Sequence, residues 1–233
     1  MSERKFDDFD EYASSYREIH SDNIRLTGAD SFYFAELKVR LLIKPEKNIP
    51  LKVLDVGCGD GATEVYFKKY FPAWQVTAID VSMKSIEEAK NKNIEGTLFK
   101  VYDGKNIDAA EEEFDVVFMA GVLHHMNFNL HEGLLKEIKR VLKKQGRFYL
   151  FEQNPFNPFT RYLVNTCEFD KDARLLKSNY TRGILMKQDF KIQKKEYIIF
   201  FPRKWFFLKM IFLEKYLRWL SLGAQYYFVS KKN

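Results

Sequence analysis

The stretch VLDVGCGDG, Val53–Gly61, decides the fold. It begins as a short apolar run and ends in three glycines within five residues. Gly57 and Gly59 tolerate positive φ angles and let a ligand approach the backbone where a side chain would block it. Ala62–Tyr70 follows as a helix that stops before Pro72 and presents unpaired N–H groups at its start. In an open parallel sheet, ligands bind beyond the carboxyl ends of the strands, near the switch point. The segment AID, Ala78–Asp80, ends the next apolar run and places Asp80 19 residues after Gly61. An acid at that position can accept two hydrogen bonds from ribose hydroxyls.

The pattern outward from this motif alternates. LKVLDV (51–56), Trp74–Asp80, Thr97–Tyr102, Phe114–Met119 and the run RFYLFE after Gly146 read as strands. Between them, Ser82 caps a helix reaching about Asn93, and Leu130–Lys144 carries Leu134, Leu135, Ile138 and Leu142 at helical spacing. Such alternation predicts right-handed crossovers and an α/β fold with a parallel sheet covered on both faces. Upstream, 8–20 and 29–44 read as helices, forming a helical cap over 1–45 ahead of a cofactor-binding core, 51–153. Downstream, NPFNPFTR reads as a Pro-interrupted loop and 158–188 as mostly helical. Phe190–Phe201 and Ala224–Val229 read as the last two strands, with an insertion over 202–222 between them. The whole is a single domain whose last part, 154–233, holds the substrate side.

The chain has 233 residues, enough for a sizeable core without disulfides. At 46% hydrophobic and 30% charged it is globular rather than disordered. Cys58 and Cys167 are too few for a disulfide framework or a four-ligand zinc site, and the four histidines show no metal-ligand spacing. The charged start lacks a signal-peptide core, and the longest uncharged run near the end has 12 residues, against the roughly 20 that cross a bilayer. These features predict a cytoplasmic protein. Residues 201–233 hold seven Lys/Arg against one acid, which accounts for the entire net charge of +6. They also hold ten of the aromatics, so the chain is a neutral body with a basic, aromatic end. That localisation argues against general nucleic-acid binding.

Gly57, Gly59 and Ala62 also satisfy the dinucleotide pattern G-x-G-x-x-G/A, so an NAD-dependent oxidoreductase is a rival reading. Asp55 inside the strand and the extra Gly61 argue against it. With Asp80, the VYDG segment and FDVVFMAGVLHH in order, the chain resembles class I S-adenosylmethionine-dependent methyltransferases, most strongly over Leu51–Gln153. The resemblance implies a Rossmann-like seven-stranded sheet of order 3-2-1-4-5-7-6, with the last strand antiparallel. It implies S-adenosylmethionine as cofactor. Asp55 and the Gly57–Gly59 backbone would face its amino-acid end, and Asp80 its ribose. Val81 would pack on the adenine, with Asp103 and Gly104 near the adenine amine, and Met119 and Ala120 would lie beside the cofactor. Tyr12 and Tyr16, one turn apart, would close over it as aromatic faces suited to a sulfonium. The flanks LTGADSFYFAELK, EQNPFNPFTR and CEFDKDARLL resemble a bacterial subgroup associated with surface-glycan assembly. Several members of that subgroup have His where this chain has Gln153 and Pro where it has Glu168.

Methyl transfer to an alcohol needs a base for the departing proton. His124 and His125 follow the fourth strand at the ligand edge, and a histidine is partly neutral at pH 7. One of the pair is expected to face the pocket, with His125 slightly favoured; His20 and His131 are expected at the surface. Glu152 and Asn154 end the fifth strand as candidate catalytic and substrate-contacting groups. The segment AGVLHH stands where amino-group methyltransferases carry N-P-P-Y, which disfavours nucleobase methylation. At 100° per residue, Arg203, Lys204, Glu214, Lys215 and Arg218 share one arc of Arg203–Leu220 and leave a wide apolar face. Two readings follow: a lid over the pocket, or a peripheral contact with an anionic membrane. The acceptor implied is a small molecule or glycan, a sugar or lipid-linked sugar methylated on oxygen. A quinone or other lipid precursor is the alternative acceptor, and a non-catalytic cofactor-binding scaffold the alternative role.

Overall fold

The computed structural model describes residues 31–167, 173–203 and 205–232. Tyr12, Tyr16, the helix expected over 8–20 and Glu168 lie outside the described residues. Seven strands form one sheet of order β3-β2-β1-β4-β5-β7-β6. They are β1 (Lys52–Val56), β2 (Gln75–Asp80), β3 (Thr97–Val101), β4 (Phe114–Ala120), β5 (Leu142–Gln153), β6 (Phe190–Ile198) and β7 (Gln225–Lys232). The first five run parallel, and β7 lies antiparallel between β5 and β6. This is the expected Rossmann-like arrangement. The inserted antiparallel strand sets it apart from the 3-2-1-4-5-6 order of dinucleotide-binding sheets.

Among the described residues, seven α-helices accompany the sheet: α1 (Ser31–Leu42), α2 (Ala62–Tyr70), α3 (Met83–Asn91), α4 (Phe128–Val141), α5 (Pro158–Thr166), α6 (Ser178–Lys187) and α7 (Glu214–Leu217). Strand residues alternate between faces. In β1, Leu54 and Val56 join a core with Leu134, Leu135 and Ile138 of α4 and Leu185 of α6. Val53 faces the other way, into a core with Val39 and Leu42 of α1, Phe67 of α2 and Ile86 of α3. The same alternation sends Asp55 toward α1 and α2. In β5 it sends Glu152 to the side of Phe148 and Leu150, toward α4. Each fully buried Leu or Phe contributes about 1.5–3 kcal/mol, so both layers secure the strand ends that carry polar groups.

Local signals explain several boundaries. The Ser82 hydroxyl accepts from Ser85 N–H at 3.1 Å and caps α3 as expected. The second proline of NPFNPFTR starts α5 instead of interrupting a loop: Asn157 caps it, and Pro158 sits where a missing N–H costs nothing. Helix α4 ends at Val141, three residues before the expected boundary, because Leu142 already pairs with Phe114 ahead of a register shift in β5.

The insertion departs most from expectation. Trp205–Leu213 is a 3₁₀ helix, followed by the single turn of α7, so the 100° spacing assumed for an amphipathic α-helix does not apply. The run WFFLKMIFL mixes four aromatics and one isoleucine with four good α formers, so propensity alone does not set its path. Its frame comes from clamps. Glu214 Oε1 accepts from Phe200 N–H and Phe201 N–H, and Tyr197 N–H donates to Arg218 C=O at 2.8 Å. Among the described residues, no helix is long and apolar enough to cross a membrane.

Candidate active site

A cavity of about 300 Å³ opens at the carboxyl edge of the sheet. One wall is the turn after β1. Gly57, Gly59 and Gly61 hold φ angles of +77°, +55° and +78°. A Cβ on Gly57 would stand 2.3 Å from Val122 Cγ2, so only glycine fits there. A Cβ on Gly59 would meet nothing within 4 Å, which leaves that backbone open to the cavity it lines. Gly57 N–H and Cys58 N–H both donate to Ile79 C=O, at 2.8 and 3.1 Å, and pin the turn to β2. Asp80, at the end of β2, accepts from Gly59 N–H through Oδ2 and from Ser82 N–H through Oδ1, each at 2.9 Å. Its carboxylate is thereby held in one orientation.

Val81 follows Asp80 and is half-buried. Asp103 is exposed: Oδ1 accepts from Lys105 N–H and Asn106 N–H, and these bonds hold its carboxyl below the usual range. Gly104 beside it is buried at φ +73°. None of these three lines the cavity, which covers the Gly57–Gly59 side and extends away from β3. Ala120 lines it, whereas Met119 sits in the core with Leu54 and Leu123.

The β4–β5 side of the cavity carries the histidines. A 3₁₀ turn, Leu123–His125, follows β4. His124 Nδ1 lies 2.6 Å from Glu152 Oε2, and Leu123 N–H donates to Glu152 Oε1 at 2.9 Å. His124 and Glu152 are both buried, with 4% and 2% of their surface exposed. His124 and His125 both line the cavity, with ring centroids 4.2 Å apart, so the expectation of a single facing histidine gives way to two. Glu152 singles out His124: a carboxylate at Nδ1 favours the tautomer that leaves Nε2 basic.

His131 is fully buried rather than at the surface. Its Nε2 faces Leu123 C=O at 2.9 Å and Met126 C=O at 3.3 Å, and its Nδ1 faces Tyr180 Oη at 3.0 Å. It braces the turn that carries His124. Burial pushes its pKa down, so the neutral ring is favoured. Asn154, expected to touch substrate, is instead structural. Its Nδ2 donates to Ser221 C=O at 3.0 Å and Gly223 C=O at 2.7 Å, and its Oδ1 accepts from Phe156 N–H. These bonds tie the end of β5 to the loop before β7 and commit both amide hydrogens there.

The remaining lining is apolar and aromatic, with Phe34, Phe159, Leu163, Phe200 and Phe201 among it. Two cations join them. Lys38 of α1 feels the carboxylates of Asp55 and Glu152, while burial draws its pKa down to about 8. Arg203 stacks over Tyr33 at 4.2 Å. Lys38 and Glu64 carry no sequence motif; only the folded sheet brings them to Asp55.

Fold and turn together define a class I methyltransferase architecture. Residues 54–150 match the family described as methyltransferase domain. A demethylmenaquinone methyltransferase of Thermotoga maritima is 33% identical over 108 residues, 46% of either chain. A ribosomal RNA small subunit methyltransferase C of Pseudomonas putida is 31% identical over 148 residues, 60% of this chain and 42% of that one. The chain thus spans under half the length of these relatives. A crystal structure of a SAM-dependent methyltransferase from Archaeoglobus fulgidus superposes with a TM-score of 0.69 at 17% identity, covering 87% of this chain and 95% of that one. Residues 54–150 are thus similar to methyltransferase domains, and the fold is that of solved SAM-dependent methyltransferases. The glycine cradle, the donor-deprived Asp55 and the fixed Asp80 fit that cofactor's amino-acid and ribose ends.

Proposed function

We propose that the chain transfers a methyl group from S-adenosylmethionine to a hydroxyl of a small, largely apolar acceptor, with His124 as base. The observation that carries this reading is the His124–Glu152 pair at 2.6 Å, in the wall of the cavity that the glycine turn closes on the other side. The cofactor supplies a methyl already activated on sulfonium. Asp55 and the Gly57–Gly59 backbone hold its amino-acid end and Asp80 its ribose hydroxyls. Val81 packs on the adenine, Asp103 and Gly104 bound the adenine amine, and Ala120 lies alongside, backed by Met119. Tyr12 and Tyr16 belong to the same proposal as a cover over the cofactor. With Nδ1–H donated to Glu152, His124 accepts the acceptor's hydroxyl proton at Nε2, and the Glu152 carboxylate stabilises the imidazolium that forms. His125 shapes the same wall. The aromatic lining excludes water, which otherwise competes with the acceptor.

That lining supports an acceptor with an apolar body: a quinone or other lipid precursor, or a sugar carried on a lipid. The quinone-methylating relative supports the first. The glycan assignment has no counterpart among the relatives named above. The insertion adds a second element. Trp205 is 83% exposed and Trp219 76%, among Arg203, Lys209, Lys215 and Arg218, while Phe200 to Arg203 line the cavity. This juxtaposition supports docking on an anionic membrane, with acceptor entry from that side and the body of the chain in the cytoplasm.

A label-transfer screen tests the reading. The protein is incubated with methyl-labelled cofactor and separated lipid, sugar-nucleotide, lipid-linked-glycan and RNA fractions. Label recovered as an alkali-stable O-methyl group on a lipid-phase molecule is the expected result. Label on RNA or on an amine, or binding of NADH without S-adenosylhomocysteine, overturns it. Cofactor binding with no label in any fraction favours the scaffold.

A further inference from the structure

Three buried carboxylate oxygens beneath the glycine turn have no hydrogen-bond donor among the described residues. They are Asp55 Oδ2 and both carboxyl oxygens of Glu64. Glu64 is wholly buried, and Asp55 is 1% exposed. The alternation of β1 turns Asp55 toward α2, and Glu64 lies in the first turn of α2. Each acid acts on the other's protonation.

A buried carboxylate without donors costs more than a domain can spare, so such a group takes up a proton instead. Two adjacent acids in one dry site cannot both ionise. A single retained proton resolves both problems: one carboxyl donates to the other. Geometry assigns it: both carboxyl oxygens of Glu64 are buried without a donor, against Oδ2 alone for Asp55. Burial raises both groups, the Asp55 charge raises Glu64 further, and the hydrogen bond from Glu64 lowers Asp55. Glu64 is the neutral donor and Asp55 the carboxylate.

Other charged or titratable groups face the pair from each packed element. Lys38 of α1 and Asp80 of β2 act on Asp55, and Asp60 of the turn acts on Glu64. The Cys58 thiol feels both acids, and burial keeps it protonated. Lys38 is the single cation acting on the pair among these groups. An apolar residue of Glu64's size would cost less at this position, and a buried acid retained against that cost calls for a use.

We propose that Glu64 is a positioning residue for cofactor binding: it keeps a proton, donates it to Asp55, and so presents one oriented carboxylate to the cofactor's ammonium beside Gly57–Gly59. This rests on the proposed placement of the amino-acid end at Asp55. It makes cofactor binding proton-linked. Where Asp55 has taken up its own proton, the ammonium has no counter-charge, and binding must release that proton. Affinity falls as pH falls, approaching tenfold per pH unit, with one proton released per cofactor bound.

S-adenosylhomocysteine titrated between pH 5.5 and 8 tests this in four proteins. Wild type and Glu64→Gln, whose amide still donates to Asp55, are expected to lose affinity over the same pH range. Glu64→Leu removes the donor, so Asp55 becomes harder to ionise and the loss moves to higher pH. Asp55→Asn is expected to bind weakly with a flat profile. A Glu64→Leu profile superimposed on wild type, with Asp55→Asn flat, overturns the role of Glu64 alone. An Asp55→Asn profile identical to wild type overturns the placement of the cofactor and the proposal with it. Should Glu64→Leu not fold, wild type decides: calorimetry in buffers of different ionisation enthalpy reads one released proton at low pH, and zero overturns the proposal.

Discussion

On its β1–β2 side the cavity is fixed by backbone: three glycines at positive φ, two N–H groups on Ile79 C=O, and Asp80 locked onto Gly59. On its β4–β5 side it is assembled from side chains of distant segments. His124 meets Glu152 across 28 residues, and His131 meets Tyr180 across 49. In the function proposed above, the first wall holds the cofactor and the second receives the acceptor.

This difference makes separable predictions. The largest effect is expected at Gly57→Ala. A Cβ there clashes with Val122 and forces a strained φ, costing about 2–4 kcal/mol in stability and abolishing measurable cofactor binding. Chemical denaturation of Gly57→Ala with and without Val122→Ala separates clash from strain; full recovery in the double variant would show that φ does not matter. Next is Glu152→Gln, which loses the charge behind His124 and is expected to slow turnover about 100-fold with S-adenosylhomocysteine affinity within twofold. Equal losses in both quantities would merge the two walls into one. Asp80→Ala should do the reverse, weakening cofactor binding about 10- to 100-fold through lost charged hydrogen bonds; calorimetry reads it directly. The smallest effect on stability is at Trp205→Ala with Trp219→Ala, within about 0.5 kcal/mol, since both rings are exposed. The same pair should abolish co-sedimentation with anionic vesicles, and wild-type sedimentation would remove the membrane from the account.

The same difference governs what could be read from the chain alone. The strand–helix alternation, the glycine turn and Asp80 were legible because backbone angles and strand ends leave local marks, whereas the sheet order came only from the family resemblance. The acceptor wall left few. HH at 124–125 marked a place, but only the β5 register brings Glu152 to the first histidine rather than the second. His131 looked like a surface residue of an amphipathic helix, yet its partners are carbonyls of the preceding turn and Tyr180. Asn154 looked poised for substrate until the loop before β7, 67 to 69 residues away, took its amide. The insertion misled for a local reason: a 3₁₀ path turns by 120° per residue, so a face drawn at 100° dissolves.

The central claim is that His124 does chemistry while the glycine wall does binding. The direct measurement is label transfer by His124→Ala, paired with its affinity for S-adenosylhomocysteine. The account predicts turnover lower by about 10²- to 10⁴-fold with affinity within twofold of wild type. Wild-type turnover in that variant, or an affinity that falls in step with the rate, would contradict it.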